Sequence, residues 1–385
     1  MLQNNSNAPS SDTKPKAKPI KQEHSVPFFW PMAAAIEFQE AGLKFVEDNI
    51  RYLAEAEAIE IPPPPDWATS NTIRLDLDTM RLRDFSKDPA KATVPVLVDA
   101  PYAGHSSTIA DYAPGQSLVQ TLLTSGIARV LVADWKSATN DMSNFNIDKY
   151  LAEINVAVDD LGGRVNLVGL CQGGWMSAMY ASRFPNKVAS LVLAGSPIDT
   201  DAGNGPIKRM AHELPLGFYQ RMVDAGGGRM LGQNMLAGWK NMHPGEQYLG
   251  KYIDLYEHIE DKSYITRTER FERWYENPIN LPGRYFLQAI DLLFKKNVFA
   301  RGDFIGLGRK LSLNDVKCPA YLLAGESDDI TTREQVFAAE QLLGTPKGAI
   351  TKKLVPGGHI GLFMGSRTLK EAWPEIANWI KANGV

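Results

Sequence analysis

Four stretches of this chain, TVPVLVDAP, ARVLVADW, RVNLVGL and KVASLVLAGSPID, are apolar almost without interruption and rich in β-branched residues. A strand with one solvated face alternates polar and apolar side chains; one that does not alternate is buried on both faces, as in the middle of a parallel sheet. Between these stretches lie SLVQTLLTSG, NIDKYLAEINVAVDDLGG and QGGWMSAMYASRF, which read as helices. Asn146 is placed to cap the second, and glycines mark its exit. Strand and helix in alternation predict an α/β protein with a mostly parallel sheet. NTIRLDLDTMRLRDF differs: its apolar–polar alternation suits an outer strand or hairpin.

The rhythm stops between about 200 and 311, where long aromatics and methionines accumulate, among them Phe218, Tyr219, Met222, Met230, Trp239, Phe271, Trp274, Tyr275, Tyr285 and Phe286. This stretch reads as helical, either packing a core of its own or covering a site. The alternation returns at CPAYLLAGESDDIT, continues through a helix near REQVFAAEQLL and a strand near ITKKLVPG, and closes with the helix RTLKEAWPEIANWIKA. The expected organisation is a disordered polar arm (1–26), an N-terminal helical segment (27–63) ended by IPPPPDW, an α/β core in two parts (64–200 and 312–385), and a helical cap (201–311). A formal net charge of -3 argues against a dedicated nucleic-acid binder. Cys171 and Cys318 cannot make a disulfide framework and suit a reducing compartment. With no 18-residue apolar run, no membrane span is expected.

Chemistry concentrates in VNLVGLCQGGWMSAMY. Gly169-Leu170-Cys171-Gln172-Gly173 spaces two glycines around a cysteine where a strand turns sharply into a helix, a setting that exposes a nucleophile above a sheet. The Gln172 N–H opens the helix and can face a developing oxyanion, with a second donor from the backbone around Tyr102 and Ala103. A base and an acid should follow in chain order, acid first. His359, in LVPGGHIGLF, is the candidate base, and Asp328, directly after YLLAG, the candidate acid, with Asp329 as the alternative. His105, Asp134 and Trp135 stand at or just after strand ends and are candidates to shape a pocket. His24, His212, His243 and His258 are scattered without a ligand pattern, so neither a metal nor another cofactor is expected.

GLCQGG, the strand-end ADW, GESDDI and VPGGHIGLFMG together resemble the superfamily of polyhydroxyalkanoate synthases and intracellular polyhydroxyalkanoate depolymerases, from about Thr93 to Ile380. The resemblance implies an α/β-hydrolase fold with a cysteine nucleophile, and maps nucleophile, acid and base onto Cys171, Asp328 and His359. Within that group the glycine–histidine pair of APYAGHSSTI, the aspartate at 329 where synthases usually carry histidine, and GHIGLFMGSR lean toward a depolymerase. The expected activity is therefore hydrolysis of a poly(3-hydroxyalkanoate), polyhydroxybutyrate-like, through a Cys-His-Asp triad and a thioester intermediate. The alternatives are a synthase that polymerises 3-hydroxyacyl-coenzyme A and a general carboxylesterase. The expected partner is a polyester or oligomer, in the cytoplasm, with association to a storage granule and a homodimer left open.

Overall fold

The computed structural model describes residues 65–88, 93–242 and 262–384. The arm expected at 1–26 and the helical segment expected at 27–63 lie outside the described residues, as do His243 and His258. Eight strands form the main sheet: β1 (Thr72–Asp76), β2 (Met80–Asp84), β3 (Val96–Asp99), β4 (Val130–Trp135), β5 (Val165–Leu170), β6 (Val188–Ala194), β7 (Ala320–Gly325) and β8 (Ile350–Val355). Their order is β1-β2-β4-β3-β5-β6-β7-β8. β2 runs antiparallel to both neighbours, and every other pairing is parallel.

Burial follows position in the sheet. Every residue of β3, β4, β5, β6 and β7 is buried, which is why these segments are apolar on both faces. The expected hairpin is the β1–β2 pair at one edge, where β1 is largely exposed and so alternates. β3 sits between β4 and β5, with Val96–Asp99 paired to Val130–Ala133 on one side and to Asn166–Gly169 on the other.

Three helices follow strands as expected: α1 (Leu118–Thr124), α2 (Ile147–Asp160) and α3 (Gln172–Arg183). The Ser117 hydroxyl accepts from the Gln120 N–H at 2.9 Å, and Asn146 Oδ1 accepts from the Lys149 N–H at 3.1 Å, satisfying donors that have no intrahelical partner. From Gly173 to Ser182, α3 is buried on all sides. A helix with so little polar surface belongs inside, and it holds the bend at its start rigidly.

The stretch between β6 and β7 contributes α4 (Pro206–Glu213), α5 (Leu216–Ala225), α6 (Gly232–Lys240), α7 (Lys262–Tyr275) and α8 (Gly283–Gln288), the last running on as a wider helical turn to Lys295. Its buried residues are continuous with the sheet's core. Tyr285 makes the join: its ring lies 5.3 Å from Tyr102 and 4.7 Å from Tyr150, centroid to centroid. Some of the aromatics therefore pack the insertion and others face the sheet, a division that spacing along the chain does not reveal.

Two helices expected to be continuous are broken. REQVFAAEQLL divides into α9 (Arg333–Phe337) and a short turn at Ala339–Leu342. The closing segment divides into Ser366–Glu371 and α10 (Trp373–Asn383). Pro374 lies in the first turn of α10, where its missing N–H costs nothing, whereas inside a longer helix it would break the ladder.

Candidate active site

β5 delivers the chain to Cys171 and α3 carries it away. Cys171 has φ 51° and ψ -117°, a backbone conformation that side-chain-bearing residues rarely adopt and that costs on the order of 1–3 kcal/mol. Close packing around the bend maintains it. A Cβ on Gly169 would lie 2.4 Å from Gly174 Cα, and one on Gly173 would lie 2.0 Å from the Asp99 carbonyl oxygen. The glycines at 169, 173 and 174 thus let β5, α3 and the end of β3 come into direct backbone contact. The Cys171 N–H donates to the Ala194 carbonyl at 2.9 Å, tying the bend to β6. The residue is buried yet borders two cavities.

Asp328 and His359 arrive on the loops after β7 and β8. Asp328 Oδ1 accepts the backbone N–H groups of Ile330 and Thr331 at 3.0 and 2.9 Å, which fixes the carboxylate and leaves Oδ2 for His359 Nδ1 at 2.7 Å. The Asp328 side chain is fully buried and that of His359 is 10% exposed. With Nδ1 occupied by the carboxylate, the ring's other hydrogen-bonding side chain is Cys171. Burial is the largest single influence on His359 and lowers its pKa. The Asp328 carboxylate and the Cys171 sulfur act together against it and hold the imidazole well above its ordinary range. The structure therefore brings Cys171, His359 and Asp328 together from three separate strand ends.

The larger cavity, about 340 Å³, is bounded by Cys171 and His359 below and by Trp239, Phe271, Trp274 and Tyr275 of the insertion above. The smaller, about 100 Å³, runs from Cys171 into the insertion between Met210, Met235, Phe286 and Phe294. His105 borders the larger cavity. Its Nε2–H donates to the Tyr275 carbonyl at 3.2 Å, and its ring stacks on Trp274 and Tyr275 at 4.7 and 5.0 Å. Burial pushes the His105 pKa down to about 4, so the ring is neutral near pH 7. Asp329 also borders the larger cavity, and Ala103 borders both.

Tyr102, expected for its backbone beside Ala103, has a fully buried side chain whose hydroxyl donates to the Lys136 or Asn280 carbonyl at 3.1 or 3.2 Å. Two of the expected pocket residues lie elsewhere. Asp134 pairs with Arg83 at 2.6 Å. The Trp135 indole donates to the Ala100 carbonyl at 2.9 Å. Neither Asp134 nor Trp135 borders either cavity. The reason is strand order: β3 separates β4 from β5, setting the β4 end about 10 Å aside from the bend. Conversely, Ile330, Gly358, Ile360 and Phe363 border the larger cavity without having been singled out. Their adjacency to Asp328 and His359 was the available signal. Trp239, Phe271, Trp274 and Tyr275 belong to the aromatic-rich insertion already legible in the sequence, but which of its aromatics face Cys171 is decided by tertiary packing. Among the described residues, no group of potential ligands could hold a metal ion, and no helix is long and apolar enough to cross a membrane.

The strand order, the strained bend after β5 and the carboxylate–imidazole pair on the following loops define an α/β-hydrolase-fold protein. The chain belongs to the family described as "Protein of unknown function (DUF3141)", whose profile matches residues 77–376. It is also related to the polyhydroxyalkanoate synthases. It is 28% identical over 324 residues to the poly(3-hydroxyalkanoate) polymerase subunit PhaC of Haloferax mediterranei, covering 81% of this chain and 63% of that protein. The chain thus spans less than two thirds of that relative's length. Against the PhaC subunit of Allochromatium vinosum it is 26% identical over 339 residues, covering 85% of this chain and 91% of that one. In fold it is similar to a monoacylglycerol lipase of Paleococcus ferrophilus, with a TM-score of 0.50, 15% identity, and coverage of 79% of this chain and 99% of the lipase.

The polymerase names of these relatives overturn the expected depolymerase activity. The features that favoured it, Gly104-His105, Asp329 and the loop after His359, belong to segments around the cavities. Polymer synthesis and polymer cleavage can share one nucleophile, base and acid, and differ in what reaches the acyl group. Loop residues beside a common triad are therefore weak markers of the direction of reaction.

Proposed function

We propose that this chain is an acyltransferase of the polyhydroxyalkanoate synthase kind, holding a 3-hydroxyacyl group on Cys171 and passing it to the hydroxyl at the end of a polyester chain. The observation that carries this reading is the Cys171–His359–Asp328 arrangement at the wall of cavities whose remaining surface is mainly apolar. The polymerase names of the relatives support a hydroxyl rather than water as the acceptor.

In the first half-reaction the Cys171 sulfur attacks the carbonyl carbon of an acyl thioester. A new carbon–sulfur bond forms, the donor's carbon–sulfur bond breaks, and the departing thiolate takes the proton held by His359. In the second, the neutral imidazole accepts the proton of the chain-end hydroxyl while its oxygen attacks the Cys171 thioester. An ester bond forms, Cys171 leaves as the counter-charge of the re-formed imidazolium, and the cycle closes. Asp328 orients the ring through Nδ1 and stabilises its charged form throughout. The Gln172 N–H, without an intrahelical acceptor at the start of α3, and the Ala103 N–H stabilise the oxyanion in both halves.

The test supplies the protein with a 3-hydroxyacyl-coenzyme A and, separately, with short esters. Release of coenzyme A accompanied by soluble or insoluble oligomers is expected. Ester hydrolysis without chain growth would instead favour the carboxylesterase alternative, and inertness toward both would remove the enzymatic reading.

A second test is pH dependence. The Asp328 carboxylate helps to raise the His359 pKa, so Asp328→Asn lets the imidazolium lose its proton at lower pH. The alkaline limb of kcat/KM is expected to move down by about 1–2 pH units, with a fall in rate of roughly 10²–10⁴. An alkaline limb that stays in place would remove Asp328 from this role.

A further inference from the structure

Three consecutive residues of the loop after β3 are each tied to the insertion. The Gly104 carbonyl accepts the Ile279 N–H at 2.9 Å. The His105 Nε2–H donates to the Tyr275 carbonyl at 3.2 Å. The Ser106 carbonyl accepts the Trp274 indole N–H at 3.2 Å. Gly104 is also packed against α6: its φ is 98°, and a Cβ there would stand 3.2 Å from Met235 Cβ. Ser107, one residue further on, is held by the sheet instead, its Oγ accepting the Trp135 N–H at 3.0 Å. The loop is thus fixed to the sheet at its two ends, in β3 and at Ser107, and to the insertion between them. Ala103 immediately precedes the three tied residues and borders both cavities.

We infer that His105 is a positioning residue, holding the Ala103 N–H toward the oxyanion through its bond to the end of α7. An oxyanion donor accelerates a reaction only if it is aimed before charge develops, and a misplacement of about 1 Å can cost roughly a hundredfold in rate. Of the three ties, the one at His105 is the only one made by a side chain of the loop itself, and its ring is further steadied by stacking on Trp274 and Tyr275. The same two aromatics border the larger cavity. Whatever fills that cavity therefore presses on the residues that hold the donor loop, so that occupancy and donor alignment are coupled through Trp274 and Tyr275. The insertion is then part of the catalytic apparatus as well as a roof over it. This rests on the reading that the Ala103 N–H serves an acyl transfer at Cys171, and it adds what keeps that donor in place.

Two variants remove one tie each. His105→Phe keeps a ring to stack and removes the N–H; Trp274→Phe keeps an aromatic wall and removes the indole donor to Ser106. Amide hydrogen exchange in the peptide spanning residues 101–106 reads the loop directly and needs no substrate. Exchange there is expected to quicken about tenfold in His105→Phe and by less in Trp274→Phe. Acylation of Cys171 by the N-acetylcysteamine thioester of 3-hydroxybutyric acid, followed by intact mass, reads the consequence. In His105→Phe the maximal rate is expected to fall about 10- to 100-fold, with half-saturation within about twofold of the unsubstituted protein. His105→Gln, whose side-chain amide can donate to the same carbonyl, is expected to recover most of that rate. Exchange unchanged in both phenylalanine variants, faster exchange with an unchanged maximal rate, or equal losses in His105→Phe and His105→Gln would overturn the inference. If the unsubstituted protein takes up no acyl group but hydrolyses a short ester, the acyltransferase reading fails, and the same fall in maximal rate, read on the ester, still decides this inference.

Discussion

Cys171→Ala protein mixed with a 3-hydroxyacyl thioester is expected to gain no acyl mass and to lose turnover by at least about 10⁴-fold. No other described cysteine can substitute. Cys318 lies away from both cavities, and burial raises its pKa to about 12, which keeps it a neutral thiol. Cys171→Ser is the informative companion. It retains the bend and a hydroxyl near His359 but replaces a sulfur nucleophile with an oxygen whose proton is much harder to remove. A small residual rate is expected from the serine variant and none from alanine. If Cys171→Ala were acylated at the native rate, both half-reactions as written would fail together.

The second large effect is on folding. Gly173→Ala is expected to destabilise the protein by about 3 kcal/mol or more, measured as a lower urea midpoint and reduced soluble yield. Helix propensity alone favours alanine over glycine by about 1 kcal/mol. Sterics decide the sign, because the added Cβ would stand 2.0 Å from the Asp99 carbonyl oxygen. That oxygen belongs to the backbone of β3, held between two parallel neighbours, and cannot move aside cheaply. Gly348→Ala is the control: nothing lies within 4 Å of its Cβ, and a change within about 0.5 kcal/mol is expected. Equal effects of the two substitutions would show that the contact between α3 and β3 is looser than described.

Much of the scaffold could be read in advance because its causes are local. Runs such as VLV and VNLVGL are apolar on both faces, and only central positions in a sheet remove both faces from water. Ser117 and Asn146 cap helices through backbone donors three residues away. The bend at Cys171 was legible for the same reason, since Gly169, Gly173 and Gly174 lie within five residues of one another. The breaks in the last helices are less legible, although Pro374 marks one of them by its missing N–H.

Site residues divide along the same line. Asp328 and His359 were accessible because each directly follows a strand, and parallel strands bring their C-terminal ends to one side of a sheet. Asp134 and Trp135 also end a strand, yet β3 stands between that strand and Cys171. Sequence distance carries no information about that lateral separation. The direction of the proposed chemistry was likewise out of reach, because triad residues suit transfer to water and transfer to a hydroxyl equally.

By itself the sequence determined the alternating α/β scaffold, the tight cysteine bend and the two later loops that carry the candidate carboxylates and imidazole. These follow from interactions among residues a few positions apart and from burial on both strand faces. Only the tertiary structure decided which side chains wall the two cavities, which strand end lies beside Cys171, and which part of the insertion is tied to the loop after β3. Those depend on lateral strand order and on the packing of α6, α7 and α8 against loops more than a hundred residues distant in the chain, and contacts of that range leave no periodic imprint on either partner.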